Sequence, residues 1–160
     1  MKIHTIAISL FAAALLTPCA LAQTPLRSLP AEGFKYLPAK EVEGLTGKPD
    51  PGAQTAFPVD HENYDVEYAQ RSDKGNEPEV HMHRTHHIHV ISGESALTYG
   101  GTVTNARETG AGQVRGDGIS GGTTVTVRAG DFLVIPAGMP HLFNVGAGGK
   151  FRYVVFNTRQ

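Results

Sequence analysis

The sequence predicts an all-β domain, a closed barrel or sandwich, preceded by an irregular arm. Two observations carry the prediction. From residue 59 onward, short runs of strand character recur: Tyr64, Val66 and Tyr68 alternate with Asp65 and Glu67, and Thr123–Arg128, Phe132–Ile135 and Phe151–Phe156 follow. Glycine pairs at Gly100-Gly101, Gly121-Gly122 and Gly148-Gly149 stand where turns would separate such runs. No useful helical period lies between them, and short strands at this spacing suit closure into a barrel or sandwich.

Ahead of this domain, Met1–Ala22 has the composition of an export signal. Lys2 gives a short positive start, Ile6–Leu16 is apolar apart from Ser9, and Ala20-Leu21-Ala22 places small residues where an export peptidase reads. The apolar run is shorter than the roughly 20 residues needed to span a bilayer. The expectation is therefore a mature chain from residue 23, periplasmic or secreted, with no membrane contact after cleavage. The only cysteine, Cys19, leaves with the signal. A mature chain without thiols binds metal through His, Asp or Glu. Net charge is −1 and no basic stripe is present, so nucleic acid is not an expected partner.

Residues 23–58 hold six prolines and few apolar clusters, which reads as an arm laid over the domain formed by residues 59–160. Within the arm, Pro38–Glu43 has the make-up of one or two helical turns, with proline early and Gly44 or Gly47 as the stop.

The stretch from Gly75 to Gly93, GNEPEVHMHRTHHIHVISG, carries five of the eight histidines. Histidine is the commonest metal ligand, and so dense a group reads as half of a metal site. On a strand alternate side chains share a face, so His81 and His83 point together, with Glu79 beside them. Beyond them the rule divides the residues into His86, Ile88, Val90 and Ser92, or His87, His89 and Ile91; one set lines the interior. A second half of the site is offered by His141 within GDFLVIPAGMPHLFN.

These residues resemble the cupin superfamily. Its first motif is a glycine, five residues, His-x-His, three or four residues, an acid, six residues and a glycine. The chain gives Gly75, five residues and His81-Met82-His83, and closes on Gly93, one position short of the motif's spacing. The second motif, a glycine, five residues, Pro-x-Gly, two residues, His, three residues and Asn, is matched by Gly130, Pro136, Gly138 and His141, with Asn144 one position early. Where the family usually has glutamate, counting back from Gly93 gives His86, whereas allowing three residues after His83 gives His87. His86 is preferred, because the strand running into the glycine turn fixes the facing of its side chains. The connection between the motifs is long, with TNARETGAGQVRGDGISGG inserted as a glycine-rich excursion.

The resemblance implies a double-stranded β-helix, or jelly roll, holding one divalent transition metal ion (Fe, Mn, Cu, Zn or Ni) through His81, His83, His86 and His141. Glu79 is then an acceptor fixing a histidine tautomer, or a general base. Four neutral histidines would leave the ion's charge uncompensated, favouring an anionic small-molecule substrate. His87 and His89 read as outward residues, His61 as superficial and Phe143 as an apolar wall. The expected function is a mononuclear metal-dependent enzyme of dioxygenase or oxidoreductase type acting on a small organic acid or phenolic compound. The alternatives are a non-redox isomerase or lyase, and a non-catalytic periplasmic binding protein. Dimers are common in the family, so a homodimer is a further expectation.

Overall fold

The computed structural model describes residues 33–45 and 53–160. The expected export signal and the first part of the arm lie outside the described residues. Helix α1 (Ala39–Leu45) follows Pro38, whose carbonyl accepts the first two helical bonds, from the Glu41 and Val42 amides. It continues through Gly44, and Gly47, the other residue expected to stop it, lies outside the described residues.

The domain is built of short strands. β1 (Ala53–Asp60), β2 (Tyr64–Ser72), β3 (Glu79–His81), β4 (Arg84–Ser92) and β5 (Glu94–Tyr99) come first. The inserted excursion forms β6 (Thr102–Thr104), β7 (Arg107–Gly110), β8 (Gln113–Arg115) and β9 (Gly118–Ser120). β10 (Thr123–Arg128), β11 (Phe132–Ile135), β12 (His141–Asn144) and β13 (Lys150–Arg159) complete the chain. One sheet has the order β1-β2-β13-β4-β11 and another β10-β5-β12-β3-β8-β7; β6 and β9 form a separate ribbon. Every pairing is antiparallel. This is the jelly roll that the resemblance implies.

The boundary expected at residue 58 falls inside β1, which pairs with β2 from Ala53↔Arg71 to Asp60↔Asp65. A register shift between Ala56 and Val59 accommodates Pro58, whose missing N–H is tolerated at a bulge on an edge strand.

The two sheets bury one apolar core between them. Ile88 and Val90 from β4, Leu97 from β5, Phe143 from β12, and Phe151, Tyr153 and Val155 from β13 are its main members. Burying each such side chain contributes about 1.5–3 kcal/mol. Period-two alternation along β4 and β13 aligns these residues with His86 and Asn157, so packing of the core also fixes which polar side chains turn inward. Gly93 alone joins β4 to β5. Its φ of +79° and the Lys150 carbonyl, 2.0 Å from where a Cβ would stand, demand glycine there.

Candidate metal centre

Two cross-strand rows build the site. In the first sheet Asp65 (β2), Asn157 (β13) and His86 (β4) lie directly opposite one another. In the second, Glu79 on β3 is paired with both Arg115 (β8) and His141 (β12). Two residues on from Glu79, His81 is paired with Gln113 (β8). The rows face each other across the end of the core, and bring the ligating atoms of His81, His86 and His141 within 4.8 Å of one another.

The Nδ1 atom of each imidazole meets a carbonyl oxygen: Gln113 Oε1 for His81, Asn157 Oδ1 for His86, and the Met139 main-chain oxygen, at 3.0 Å, for His141. An oxygen acceptor requires the proton on Nδ1, leaving the lone pair on Nε2. The Asn157 orientation is itself fixed, because its amide nitrogen donates to Asp65 Oδ1 and Glu67 Oε1, both at 2.6 Å. Among the described residues His86 Nε2, which is buried, has no hydrogen-bond partner. Glu79 Oε2 stands 3.4 Å from His81 Nε2 and 3.6 Å from His141 Nε2.

A carboxylate oxygen and imidazole lone pairs at such distances repel one another unless a cation or a proton lies between them. Donors bound at about 2.0–2.2 Å to one ion stand about this far apart. The donor set therefore fits a divalent metal ion: three neutral nitrogens with outward tautomers fixed by carbonyl partners, one orphaned buried acceptor, and a carboxylate within reach. Burial above all pushes His86 down to about 3, so its lone pair is free at neutral pH.

The centre opens into a cavity of about 350 Å³. Ile88, Phe143 and Val155 form its apolar floor, and Arg71, Arg84, Arg115, Glu67 and Glu79 its polar wall. Burial works to raise the Glu79 pKa, but the Arg71 guanidinium at 2.9 Å holds it well below the usual carboxylate range. Arg71 is anchored in turn by donating Nε–H to the Tyr153 hydroxyl at 2.8 Å. Glu67 is the opposite case. Burial, then the charge of Asp65, push its carboxyl up to about 8 against the pull of Arg84.

His83 is not among the converging residues. β3 ends at His81, the chain turns at Met82, and His83 is exposed. The alternation that would put His83 beside His81 needs a continuing strand, and the short link to β4 turns the chain instead. Glu79 occupies the position next to His81 and His141 that His83 was expected to fill. His86 faces inward, whereas His87 packs at the outer face near Phe156, and His89 is exposed. His61 stacks on Tyr64 away from the site, and Phe143 is buried beside His141 as expected.

Sequence reasoning missed Gln113 and Arg115, carried by the glycine-rich excursion, as well as Asn157, Asp65, Glu67, Arg71 and Arg84. Asn157 had a signal: it continues the inward phase of Phe151, Tyr153 and Val155. The excursion gave none, since its strands are short and polar.

No family model matches the sequence, and no curated protein sequence does either. Solved structures match the fold. The polyketide cyclase RemF from Streptomyces resistomycificus aligns with a TM-score of 0.53 at 20% identity, over 80% of this chain and 81% of that one. A conserved Klebsiella pneumoniae protein with a double-stranded β-helix domain aligns at 0.55 and 16%, over 80% and 91%. The Schizosaccharomyces pombe Cnp3 cupin domain aligns at 0.50 and 11%, over 68% and 65%. The chain has the double-stranded β-helix fold of the cupins, and its His81, His86 and His141 form a group able to hold a metal ion.

Proposed function

We propose that the chain is a mononuclear metal-dependent enzyme of oxidoreductase type, acting on a small organic acid or phenolic compound outside the cytoplasm. The observation that carries this reading is the convergence of His81, His86 and His141 with Glu79 at the end of a cavity that a small molecule can enter. A divalent ion held by those four residues would supply Lewis-acid polarisation, or activation of dioxygen, at positions the protein leaves open.

The surrounding residues supply positioning and proton control. Asn157, Gln113 and the Met139 carbonyl hold the three imidazoles in one tautomer. Arg71 keeps Glu79 ionised, and Phe143, Ile88 and Val155 keep water from the floor. Arg84 and Arg115 add positive charge where a substrate would enter.

A non-redox isomerase or lyase is a second reading, favoured by one feature. Glu67, a neutral carboxylic acid at neutral pH, and Glu79, an ionised one, line the same cavity. Two carboxyl groups with pKa values pushed apart provide a proton donor and a proton acceptor.

Turnover of a panel of small carboxylic acids and phenols, followed under air and under argon, separates the readings. Conversion that requires oxygen supports the oxidoreductase. Equal conversion under argon selects the isomerase or lyase. Saturable stabilisation by a compound without conversion indicates a binding protein and removes the enzyme reading. The extracytoplasmic placement rests on Met1–Ala22 and is tested by N-terminal sequencing of the chain expressed in a bacterial host.

A further inference from the structure

We infer that the substrate carries a carboxylate, and that Arg115, delivered by the glycine-rich excursion, is the residue that receives it. The inference rests on the cavity being the substrate site of the metal centre.

Three guanidinium groups and two carboxyl groups line the cavity. The carboxylates are largely committed. Glu79 Oε1 lies 2.9 Å from Arg71 Nη2 but 3.5 Å from Arg115 Nη2, so Arg71 holds it closely and Arg115 loosely. Arg84 has Glu67 at 3.4 Å and Asp65 at 3.8 Å, and Asp65 is already bound by Arg159 at 2.8 Å. With Glu67 neutral over most of the physiological range, the cavity wall has more positive charge than its own carboxylates balance.

Among the three, Arg115 is the least matched. Among the described residues the long contact to Glu79 is its one ion pair, and its buried Nη1 has no hydrogen-bond partner. A buried donor left unmatched is unfavourable, more so for a charged group, and an anion alongside would relieve it. The side chain is 27% exposed, as is that of Arg84, against 7% for Arg71, so a molecule arriving from solvent meets Arg115 and Arg84 before Arg71. A planar guanidinium and a two-oxygen carboxylate match edge to edge. The buried floor of Ile88, Phe143 and Val155 then receives an apolar body.

The excursion is built to hold Arg115 there. β8 pairs with β3 on one side and β7 on the other, setting Arg115 opposite Glu79. The next residue, Gly116, lies so close to the β6 ribbon that a Cβ would stand 2.5 Å from the Thr104 carbonyl. The same strand supplies Gln113 to His81, so one insertion serves both the metal ligand and the substrate anion.

The test compares binding of acid and amide pairs (acetate and acetamide, butyrate and butyramide, benzoate and benzamide) to the full chain by calorimetry at pH 7. At least one acid should bind saturably, with its amide bound at least tenfold more weakly. Arg115→Gln should remove most of that preference while leaving bound metal unchanged, and Arg128→Gln, on the exposed β10 surface, should leave it intact. If Arg115→Gln does not fold, the wild-type acid preference and its competition by inorganic phosphate carry the test. No preference for any acid, a preference that survives Arg115→Gln, or phosphate competing as strongly as the acid would overturn the inference. Acid selectivity that depends on Arg115 in a chain that takes up no metal would retain the inference and remove the metal-enzyme reading.

Discussion

Asn157 stands directly opposite His86 between β13 and β4, and its amide oxygen accepts the hydrogen bond from His86 Nδ1. The amide cannot turn over, because its nitrogen serves two carboxyl oxygens, those of Asp65 and Glu67. The tautomer of an imidazole is thus set by an acidic pair one strand further away.

Replacing Asn157 by leucine should therefore act on the metal without touching a ligand. Loss of an orienting partner lowers metal affinity about 10–100-fold. The variant also leaves Asp65 without one of its donors, so the metal-free chain should lose about 1–3 kcal/mol. Competition with a chelator reads the first effect and urea denaturation the second.

His81 and His83 should respond in opposite ways. His81→Ala should weaken metal binding at least as much as loss of an orienting partner does, about 10–100-fold. His83→Ala should leave it unchanged, since His83 is exposed in the turn after β3. Equal losses in both would mean that the turn closes over the ion.

Glu67 links pH to stability. Its ordinary value is 4.5 and burial in the folded chain pushes it up to about 8. Between these values the unfolded chain gives up the proton and the folded chain keeps it, so the folded chain binds more protons. Stability must then fall as pH rises through that window, by about 1.4 kcal/mol for each pH unit at most. Glu67→Gln keeps an acceptor for Asn157 and removes the titration, so melting temperatures from pH 5 to 8 should decline less in the variant. An unchanged slope would show that Glu67 is ionised in the fold.

Gly116→Ala should push β8 away from the β6 ribbon and take Gln113 from His81. The expected outcome is weaker metal binding with the core melt nearly unchanged, seen by chelator competition and thermal denaturation.

The fold was legible because its signals are local: alternating runs, paired glycines, and a Gly93 that fixes the facing of β4. His86 and His141 were legible for the same reason, each lying on a strand next to a turn of defined geometry. His83 was misplaced because alternation was extended past the end of β3. On β2 the charged residues Asp65, Glu67 and Arg71 face inward, against the usual rule, because this end of the barrel is a polar site. Gln113 and Arg115 depend on a pairing between β3 and β8 that spans the whole excursion, and no local pattern announces such a pairing.

The metal content of the full chain, purified without a histidine tag, beside His141→Ala and His83→Ala, tests whether His81, His86, His141 and Glu79 hold one ion. About one equivalent of a divalent transition metal is expected in the wild type and in His83→Ala, and none in His141→Ala. Metal that survives the loss of His141, or that leaves with His83, would contradict that site.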